Sequence, residues 1–408
     1  MTIEQRATTG DESYRVLAGA VQHPTRVHPY RTVFNQRSLE ALQEAGAAVD
    51  VLSPTPFAPP VGPYSEYGEV PTVESFDEYP VHHPRFLYAL PKRFFYHLSG
   101  DSLAKRASRY AARTFPEPDV VHAASIYLDG YGLLPYARRR DLPLFVVAHG
   151  DVLLNYETFS NAVRDRIAET LDYATEVLCV SEDFAERATR LTDEEKIRLL
   201  PIGANPDRFP TERRDEIRAS LGIDPETTLV LFCGQFIERK GVGEIIDVLP
   251  RLDDDETELA CIAHTGDLKA DLERALAESP VAGRLLESVP TPELREWFAA
   301  ADLLLLPSYG EGRPTVIYEA MASETAVLGS TAGGIPEQVA DGETGLLVPP
   351  GDADALERAL AELVGDRNRL RRMGERGHRR LLEEGWTWEQ HAEQLRQVHR
   401  EAIPQTQT

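Results

Sequence analysis

The feature that most constrains the fold of this chain is a repeated alternation of short apolar runs with amphipathic stretches. The amphipathic stretch Gln36–Ala45 is followed by Gly46, and glycine commonly ends a helix. This alternation is typical of β-α units that build parallel sheets. In the first half of the chain, the predicted strands are Arg15–Val21, Ala48–Ser53, Asp119–Ala123, Leu144–His149 and Glu176–Ser181.

A second series of the same kind begins after Arg208-Phe209-Pro210. The run of four leucines at Leu303–Leu306 has no polar alternation, which suits a strand covered on both faces. The predicted strands are Leu229–Cys233, Leu259–His264, Leu303–Pro307, Ala326–Ser330 and Gly345–Val348, and the predicted helices include Gly243–Leu252, Pro292–Ala301 and Ala353–Leu363. The segment Leu200–Pro206 is predicted to be the linker between two doubly wound, Rossmann-like domains.

Length agrees with that division, because 408 residues are enough for two domains that each bury a core. The polar, acidic stretch Met1–Ser13 does not resemble a signal peptide, and no run of about 18 apolar residues is present. We therefore expect a cytoplasmic protein. The three cysteines, Cys179, Cys233 and Cys261, lie in apolar runs and are expected to be buried, with neither a disulfide framework nor a zinc site.

The formal net charge of −24 argues against nucleic acid as a partner, because phosphates would be repelled. Only five of the 43 basic residues are lysines. An acidic, lysine-poor surface resembles that of halophilic proteins, in which concentrated salt screens the self-repulsion. The alternative is an acidic enzyme from a mesophile.

Two segments of the first half differ from the rest of the chain. Residues 54–85 are rich in Pro, Gly and Tyr and are predicted to form a long loop. The helical segment Arg85–Arg113 has seven basic residues against the single acid Asp101, together with several aromatic residues. Such a segment could contact an anionic membrane or an anionic acceptor. The alternative is an amphipathic helix with a basic outer face.

The segment Pro307–Ala322 has the most informative pattern for chemistry. A buried strand is predicted to end at Pro307, and a helix is predicted to start near Thr315, after a Gly-rich turn. Glu311 precedes this helix and Glu319 lies within it, so the two carboxylates could accept hydrogen bonds from sugar hydroxyls. The N–H groups near Gly312 could stabilise an anion at the edge where open sheets bind ligands.

This segment resembles the E-x₇-E signature of family 4 of the retaining GT-B glycosyltransferases. The matching letters are Pro307-Ser308, Glu311-Gly312 and Glu319-Ala320-Met321-Ala322. The resemblance implies donor contacts from Gly312, Arg313, Pro314, Thr315 and Glu319. After Met321 the chain has Ser323-Glu324-Thr325 instead of the family's small residue, glycine and proline.

Further segments follow in the family's order. The stretch Gly234–Gly241 resembles the loop whose basic residues hold the donor diphosphate, and the resemblance assigns Gly234, Arg239 and Lys240 to it. The chain has Gln235 where the family commonly has arginine, so Arg239 could supply that charge. The pair Gly333-Gly334 resembles a glycine turn with amides facing the donor.

In the first half, His149 resembles the histidine that faces the transferred sugar. The family's paired glycines after the first strand are absent here, and Arg31 or Asn35 could act on the acceptor side instead. The resemblance implies an α/β GT-B fold in which two Rossmann-like domains face each other across a cleft. It implies an acceptor-binding domain at residues 1–203, a donor domain at 204–385 and a C-terminal helix at 386–408 that crosses back.

The function implied is transfer of a hexose-type sugar from a nucleotide-diphosphate sugar to an acceptor, with retention of configuration. Glu311, Lys240, Arg239 and His149 would be the catalytic residues. No His/Cys/Asp cluster has metal-ligand spacing, so no essential metal and no cofactor are expected. A glycolipid, a lipid carrier and a polysaccharide or glycan are all open as acceptors. A nucleotide-sugar epimerase, a phosphorylase and an inactive nucleotide-sugar-binding partner are the alternatives.

Overall fold

The computed structural model describes residues 13–57, 62–76, 79–89, 92–252, 255–263 and 265–404. Most of the predicted polar amino terminus, and His264 at the end of one predicted strand, lie outside these ranges. The chain divides into two compact units. The first comprises Met1–Leu178, Leu191–Arg198 and Ala392–Thr408, and the second comprises Cys179–Arg190 and Leu199–His391.

The described strands of the first half of the chain are β1 (Arg15–Gly19), β2 (Ala48–Leu52), β3 (Thr55–Phe57), β4 (Val73–Ser75), β5 (Pro80–His82), β6 (Arg85–Leu87), β7 (Val120–Ala123), β8 (Leu144–Ala148), β9 (Glu176–Cys179) and β10 (Ile197–Leu199). Eight of them form the sheet of the first unit, in the order β10-β9-β8-β7-β1-β2-β5-β4. Strand β1 pairs in parallel with β2 and with β7, whereas β4 is antiparallel to β5. The other two, β3 and β6, form a separate parallel pair.

Helices follow the strands as the alternation predicts. Helix α1 (Val33–Glu44) buries Leu39 and Leu42, and Gly46, just beyond its end, has a φ of +98°, which suits glycine. The other helices up to the second sheet are α2 (Lys92–Thr114), α3 (Tyr131–Arg140), α4 (Asp151–Asn155), α5 (Asn161–Tyr173), α6 (Glu182–Ala188) and α7 (Arg214–Ser220).

The second unit contains a sheet of six described strands, β11 (Thr228–Cys233), β12 (Thr257–Ala263), β13 (Ala282–Glu287), β14 (Leu303–Leu306), β15 (Ala326–Ser330) and β16 (Gly345–Val348). All six are parallel, and their order in the sheet is β13-β12-β11-β14-β15-β16. The helices are α8 (Val242–Val248), α9 (Lys269–Glu278), α10 (Thr291–Ala300), α11 (Thr315–Ala322), α12 (Ile335–Gln338), α13 (Ala353–Val364), α14 (Arg367–Glu383) and α15 (Trp388–Ala402). From Ala392 onward, α15 belongs to the first unit.

The core of the second unit shows why its helices form where they do. Leu356, Leu360 and Leu363 recur at helical spacing on α13 and pack with the buried strand residues Val230 and Leu305. The side chain of Asp352 accepts the Ala355 N–H at 2.8 Å and so caps the first turn of α13.

The α/β fold with parallel sheets in two domains is confirmed. Each predicted strand is present, and wherever the structure describes a predicted strand end, the observed end lies within two residues of it. The prediction of a long loop at residues 54–85 is wrong, because β3, β4, β5 and β6 lie there in part or in full. These strands have only three residues each, too few for an alternating pattern to be visible. Strand β13 was not predicted because its residues are exposed or half-buried and form no apolar run.

Within the ranges that the structure describes, every helix is either too short or too polar to traverse a lipid bilayer.

Candidate active site

The candidate site lies in the second unit, at the carboxyl edge of its sheet. Strands β11 and β14 are hydrogen-bonded neighbours, with Val230 opposite Leu303 and Leu231 opposite Leu304. Because both strands run the same way, the loops that follow them emerge side by side at one edge of the sheet. These are the Lys240 loop (residues 234–241) and the Glu311 loop (residues 307–314).

The charged side chains of the two loops meet directly. The Lys240 ammonium lies 2.6 Å from Oε1 of Glu311, and both side chains are largely buried. The guanidinium of Arg239 is 3.6 Å from the same oxygen and donates to the Gly310 carbonyl at 3.0 Å. The structure therefore brings together three of the predicted catalytic residues, separated by about 70 positions in the sequence, as one cluster of two cations and a carboxylate.

Glycines hold the Lys240 loop at this distance. Gly241 has a φ of +74°, and a Cβ built on it would lie 2.2 Å from the Pro307 carbonyl oxygen. A side chain at that position would push the two loops apart. A Cβ on Gly234 would lie 3.8 Å from two carbons of the Lys240 side chain, so Gly234 lines the path that the lysine follows.

Helix α11 carries Glu319. The helix begins at Thr315, directly after Pro314 in extended conformation, so Glu319 falls at the start of the second turn, where it is half-buried. Burial raises the pKa of the half-buried Cys233 thiol to about 12. The negative charge of Glu319 adds to the rise and the positive charge of Lys240 opposes it. Both charges thus act on the end of β11.

The glycine turn after β15 packs against the backbone of the Glu311 loop. The Gly334 N–H donates to the Glu311 carbonyl at 3.1 Å. A Cβ on Gly333, whose φ is +56°, would lie 2.0 Å from that carbonyl oxygen, and a Cβ on Gly334 would lie 1.8 Å from the Gly312 carbonyl oxygen. Neither position accommodates a side chain without moving the loop that carries Glu311.

We expect Gly333→Ala to destabilise the protein and to weaken nucleotide binding together, because its Cβ displaces the Glu311 backbone. Gly342→Ala is the matched control. Gly342 also has a positive φ, +76°, but no atom lies within 4 Å of the place that a Cβ would take, so it should cost only the conformational penalty of about 1–2 kcal/mol. Thermal unfolding with and without nucleotide measures both effects. Equal losses of nucleotide binding in the two variants would contradict the prediction.

Arg313 was predicted to bind the donor, and the structure shows its side chain in a buried network. Its guanidinium contacts one carboxylate oxygen of Glu337 at 2.9 and 3.0 Å and donates to the Tyr318 hydroxyl at 3.2 Å. It also lies over the Trp386 ring, 5.1 Å from the ring centroid. Burial raises the pKa of Tyr318 to about 12, and the nearby Arg313 charge opposes that rise. These contacts favour a positioning role for the Arg313 side chain.

The same network anchors α6. The Glu337 carboxylate accepts the backbone N–H groups of Glu182 at 2.9 Å and Asp183 at 3.1 Å, at the N-terminus of that helix. A Cβ on Gly312 would lie 2.5 Å from the Phe184 ring, so α6 also packs on the Glu311 loop. The sequence patterns assigned no role to the side chains of Glu337 and Trp386.

The predicted residues of the first unit lie near the start of α1. His149 follows β8, and its ring centroid is 4.5 Å from that of Phe34, edge to face. Asn35, the next residue, is buried in the first turn of α1. Arg31 donates to the Tyr67 hydroxyl at 3.2 Å and its guanidinium lies 4.9 Å from the centroid of that ring. His149 and α1 are thus brought together, whereas Arg31 is held by Tyr67.

Asp129 is a buried acid that sequence reasoning missed. Its carboxylate accepts the Val21 N–H at 2.6 Å, where the chain leaves β1, and the Ser125 hydroxyl at 2.7 Å. Burial raises its pKa to about 6, against the effect of these two hydrogen bonds. The carboxylate therefore fixes the beginning of the loop that carries Arg31. No sequence pattern marks it, because a single aspartate after a strand has many possible roles.

Gln235, at the position where the resembling family commonly has arginine, is exposed, and its amide lies 3.4 Å from the Thr265 hydroxyl. The positive charge of the Lys240 loop is therefore supplied by Arg239 and Lys240.

Comparison with known proteins finds a glycosyltransferase family in each half of the chain. Residues 213–380 match the family described as glycosyl transferases group 1, and residues 33–208 match glycosyltransferase family 4. Among curated relatives, TuaC of Bacillus subtilis, whose name refers to teichuronic acid biosynthesis, is 27% identical over 83% of this chain and 86% of its own length. An α-maltose-1-phosphate synthase of Mycolicibacterium smegmatis is 35% identical over 59% of this chain and 66% of its own length.

Solved structures show the same fold over nearly the whole chain. The sucrose-phosphate synthase of Thermosynechococcus elongatus has a TM-score of 0.77 at 22% identity, covering 95% of this chain and 98% of that one. HepE of Anabaena, solved in complex with UDP and glucose, has a TM-score of 0.72 at 16% identity, covering 95% of this chain and 100% of that one. At these identities the likeness establishes the fold.

Proposed function

Since this chain is a glycosyltransferase of the GT-B, family 4 type, with both of its halves matching such families, we propose that it transfers a hexose-type sugar from a nucleotide-diphosphate sugar to an acceptor with retention of configuration. The observation that carries this proposal is the cluster of Lys240, Arg239 and Glu311 at the carboxyl edge of the second sheet. HepE, a protein of the same fold, binds UDP and glucose, and we extend that class of ligand to this chain.

The physical problem in such a transfer is the leaving nucleoside diphosphate, which gains negative charge as the glycosidic bond breaks. Lys240 and Arg239 lie on one loop, where they can contact a diphosphate, and cations fixed in advance lower the energy of the developing charge. The ion pair with Glu311 keeps the Lys240 ammonium ordered before the donor binds. The proposal assigns the charge stabilisation to these side chains and calls for no metal.

The remaining roles follow from position. Glu311 would accept hydrogen bonds from the transferred sugar while it remains beside Lys240. Glu319, at the start of the second turn of α11, would accept hydrogen bonds from the ribose. Backbone amides near Gly312 and Gly333-Gly334 would face the donor. His149 would orient the transferred sugar. Arg313 would act through the loop that it holds rather than by touching the donor.

Nucleotide binding and product stereochemistry test the proposal together. Thermal unfolding in molar potassium chloride would be measured with UDP, GDP, ADP and their common sugar conjugates. A ligand that binds only the folded state stabilises it by about 2.7 kcal/mol at about a hundredfold excess over its Kd. We expect a shift selective for one base, and a product whose anomeric configuration, read by NMR, equals that of the donor.

Four results would contradict the proposal. A product of inverted configuration would exclude retention. Conversion of the donor without any acceptor would point to an epimerase, and turnover with inorganic phosphate and no nucleotide would point to a phosphorylase. Binding of a nucleotide sugar with no turnover in any acceptor screen would indicate a binding partner without activity.

A further inference from the structure

The first unit exposes a group of large apolar side chains that are neighbours in space. Phe57 is 68% exposed, Leu87 57%, Leu98 44% and Phe95 42%. Single exposed apolar residues are ordinary, whereas several in one place mark a surface that contacts something apolar.

Backbone and side-chain hydrogen bonds place these residues together. Phe57 and Leu87 are register partners at the ends of β3 and β6. The Leu87 N–H donates to the Ser102 hydroxyl of α2 at 2.8 Å, and the Ala89 N–H donates to Ser99 at 2.9 Å. The ends of the two strands are therefore tied to the amino-terminal half of α2, which carries Phe95 and Leu98.

The same face of α2 continues as a row of cations. At about 100° per residue, positions 95, 98, 102, 105, 106, 109 and 113 fall within an arc of about 100°. The last four are exposed basic residues, Lys105, Arg106, Arg109 and Arg113. The helix has one acid, Asp101, and its carboxylate is bound by Arg166 at 2.6 Å, so it does not neutralise this row.

We propose that this face, formed by Phe57, Leu87, Phe95 and Leu98 together with Lys105, Arg106, Arg109 and Arg113, docks onto an anionic lipid membrane. We call it the α2 face. The apolar side chains would enter the boundary between headgroups and acyl chains, while the adjoining cations contact lipid phosphates.

Charge favours lipid over other occupants. The chain as a whole carries a net charge of −24, so an anionic bilayer repels most of its surface and attracts this basic face. The protein would therefore dock in one orientation. An acidic protein partner would satisfy the cations but would leave no reason for four large apolar side chains beside them.

Vesicle flotation tests the proposal. The full-length protein would be mixed with phosphatidylglycerol vesicles or with phosphatidylcholine vesicles, in potassium chloride at a concentration at which circular dichroism shows it folded. We expect the protein to float with the anionic vesicles. The variants Lys105→Glu/Arg109→Glu and Phe95→Ser/Leu98→Ser should each bind at least tenfold more weakly, with unfolding midpoints close to that of the unaltered protein. Higher salt should weaken the contribution of the cations more than that of the apolar residues.

Helix α14 supplies the matched control. Arg372→Glu/Arg376→Glu makes the same change in charge at two exposed arginines four residues apart in the second unit. That variant should float as the unaltered protein does. Equal loss in both charge variants would show non-specific attraction and overturn the proposal, as would absence of flotation. A dimer in sedimentation that Phe95→Ser/Leu98→Ser makes monomeric would assign the α2 face to a second copy of the chain instead.

Discussion

Replacing Lys240 by alanine is expected to lower the rate of sugar transfer by about 10²–10³-fold, the usual cost of removing one group that stabilises developing negative charge. The change removes the cation that lies 2.6 Å from Glu311 and leaves only Arg239, at 3.6 Å, beside that carboxylate. Initial rates with a saturating nucleotide sugar would measure the effect. The fold should survive, because the core of this unit does not include Lys240.

Lys269→Ala is the matched control for this prediction. Lys269 is another lysine of the same unit in an ion pair, with its Nζ 2.7 Å from Glu287. Its replacement should leave transfer unchanged. The double variant Lys240→Met/Glu311→Gln separates stability from catalysis, because it removes both charges of a largely buried pair. It should unfold later than Lys240→Met alone and remain inactive. Unchanged turnover in Lys240→Ala would remove the basis of the proposed mechanism.

Replacing Arg313 by alanine is expected to destabilise the second unit by about 3–5 kcal/mol, because it leaves the buried carboxylate of Glu337 without its cation. Glu337 would lose both guanidinium contacts while still holding the N-terminus of α6, and Trp386 would lose the cation over its ring. Urea denaturation followed by tryptophan fluorescence would report the loss, since Trp386 lies in the network.

A surface arginine provides the comparison. Arg371 is also paired with a glutamate, Glu375 at 3.1 Å, but its side chain is 80% exposed. Arg371→Ala should therefore cost no more than about 1 kcal/mol. Arg313→Lys should recover only part of the stability, because an ammonium cannot match the planar contacts of a guanidinium. An Arg313→Ala variant as stable as Arg371→Ala, but with weaker donor binding, would indicate direct contact with the donor.

The sequence by itself determined five strands of each sheet, because strands buried on two faces need continuous apolar runs and the helices between them need an apolar stripe. The run Leu303–Leu306 and the strand at Thr228–Cys233 could be located in this way. The loops after them could then be named as candidate sites, since the carboxyl ends of parallel strands share one edge. Lys240, Glu311 and Glu319 were identified on that basis together with the family resemblance.

Only the tertiary structure decided what each side chain of those loops contacts. Arg313 follows Glu311 by two positions, yet its guanidinium turns to Glu337 and Trp386, which are distant in sequence. Asp129 and the α2 face likewise depend on which segments the fold brings together, as in the pairing of Phe57 with Leu87. The physical reason is that periodicity records which residues are buried, whereas the partner of a buried charge or an exposed apolar side chain depends on contacts between segments far apart in the chain.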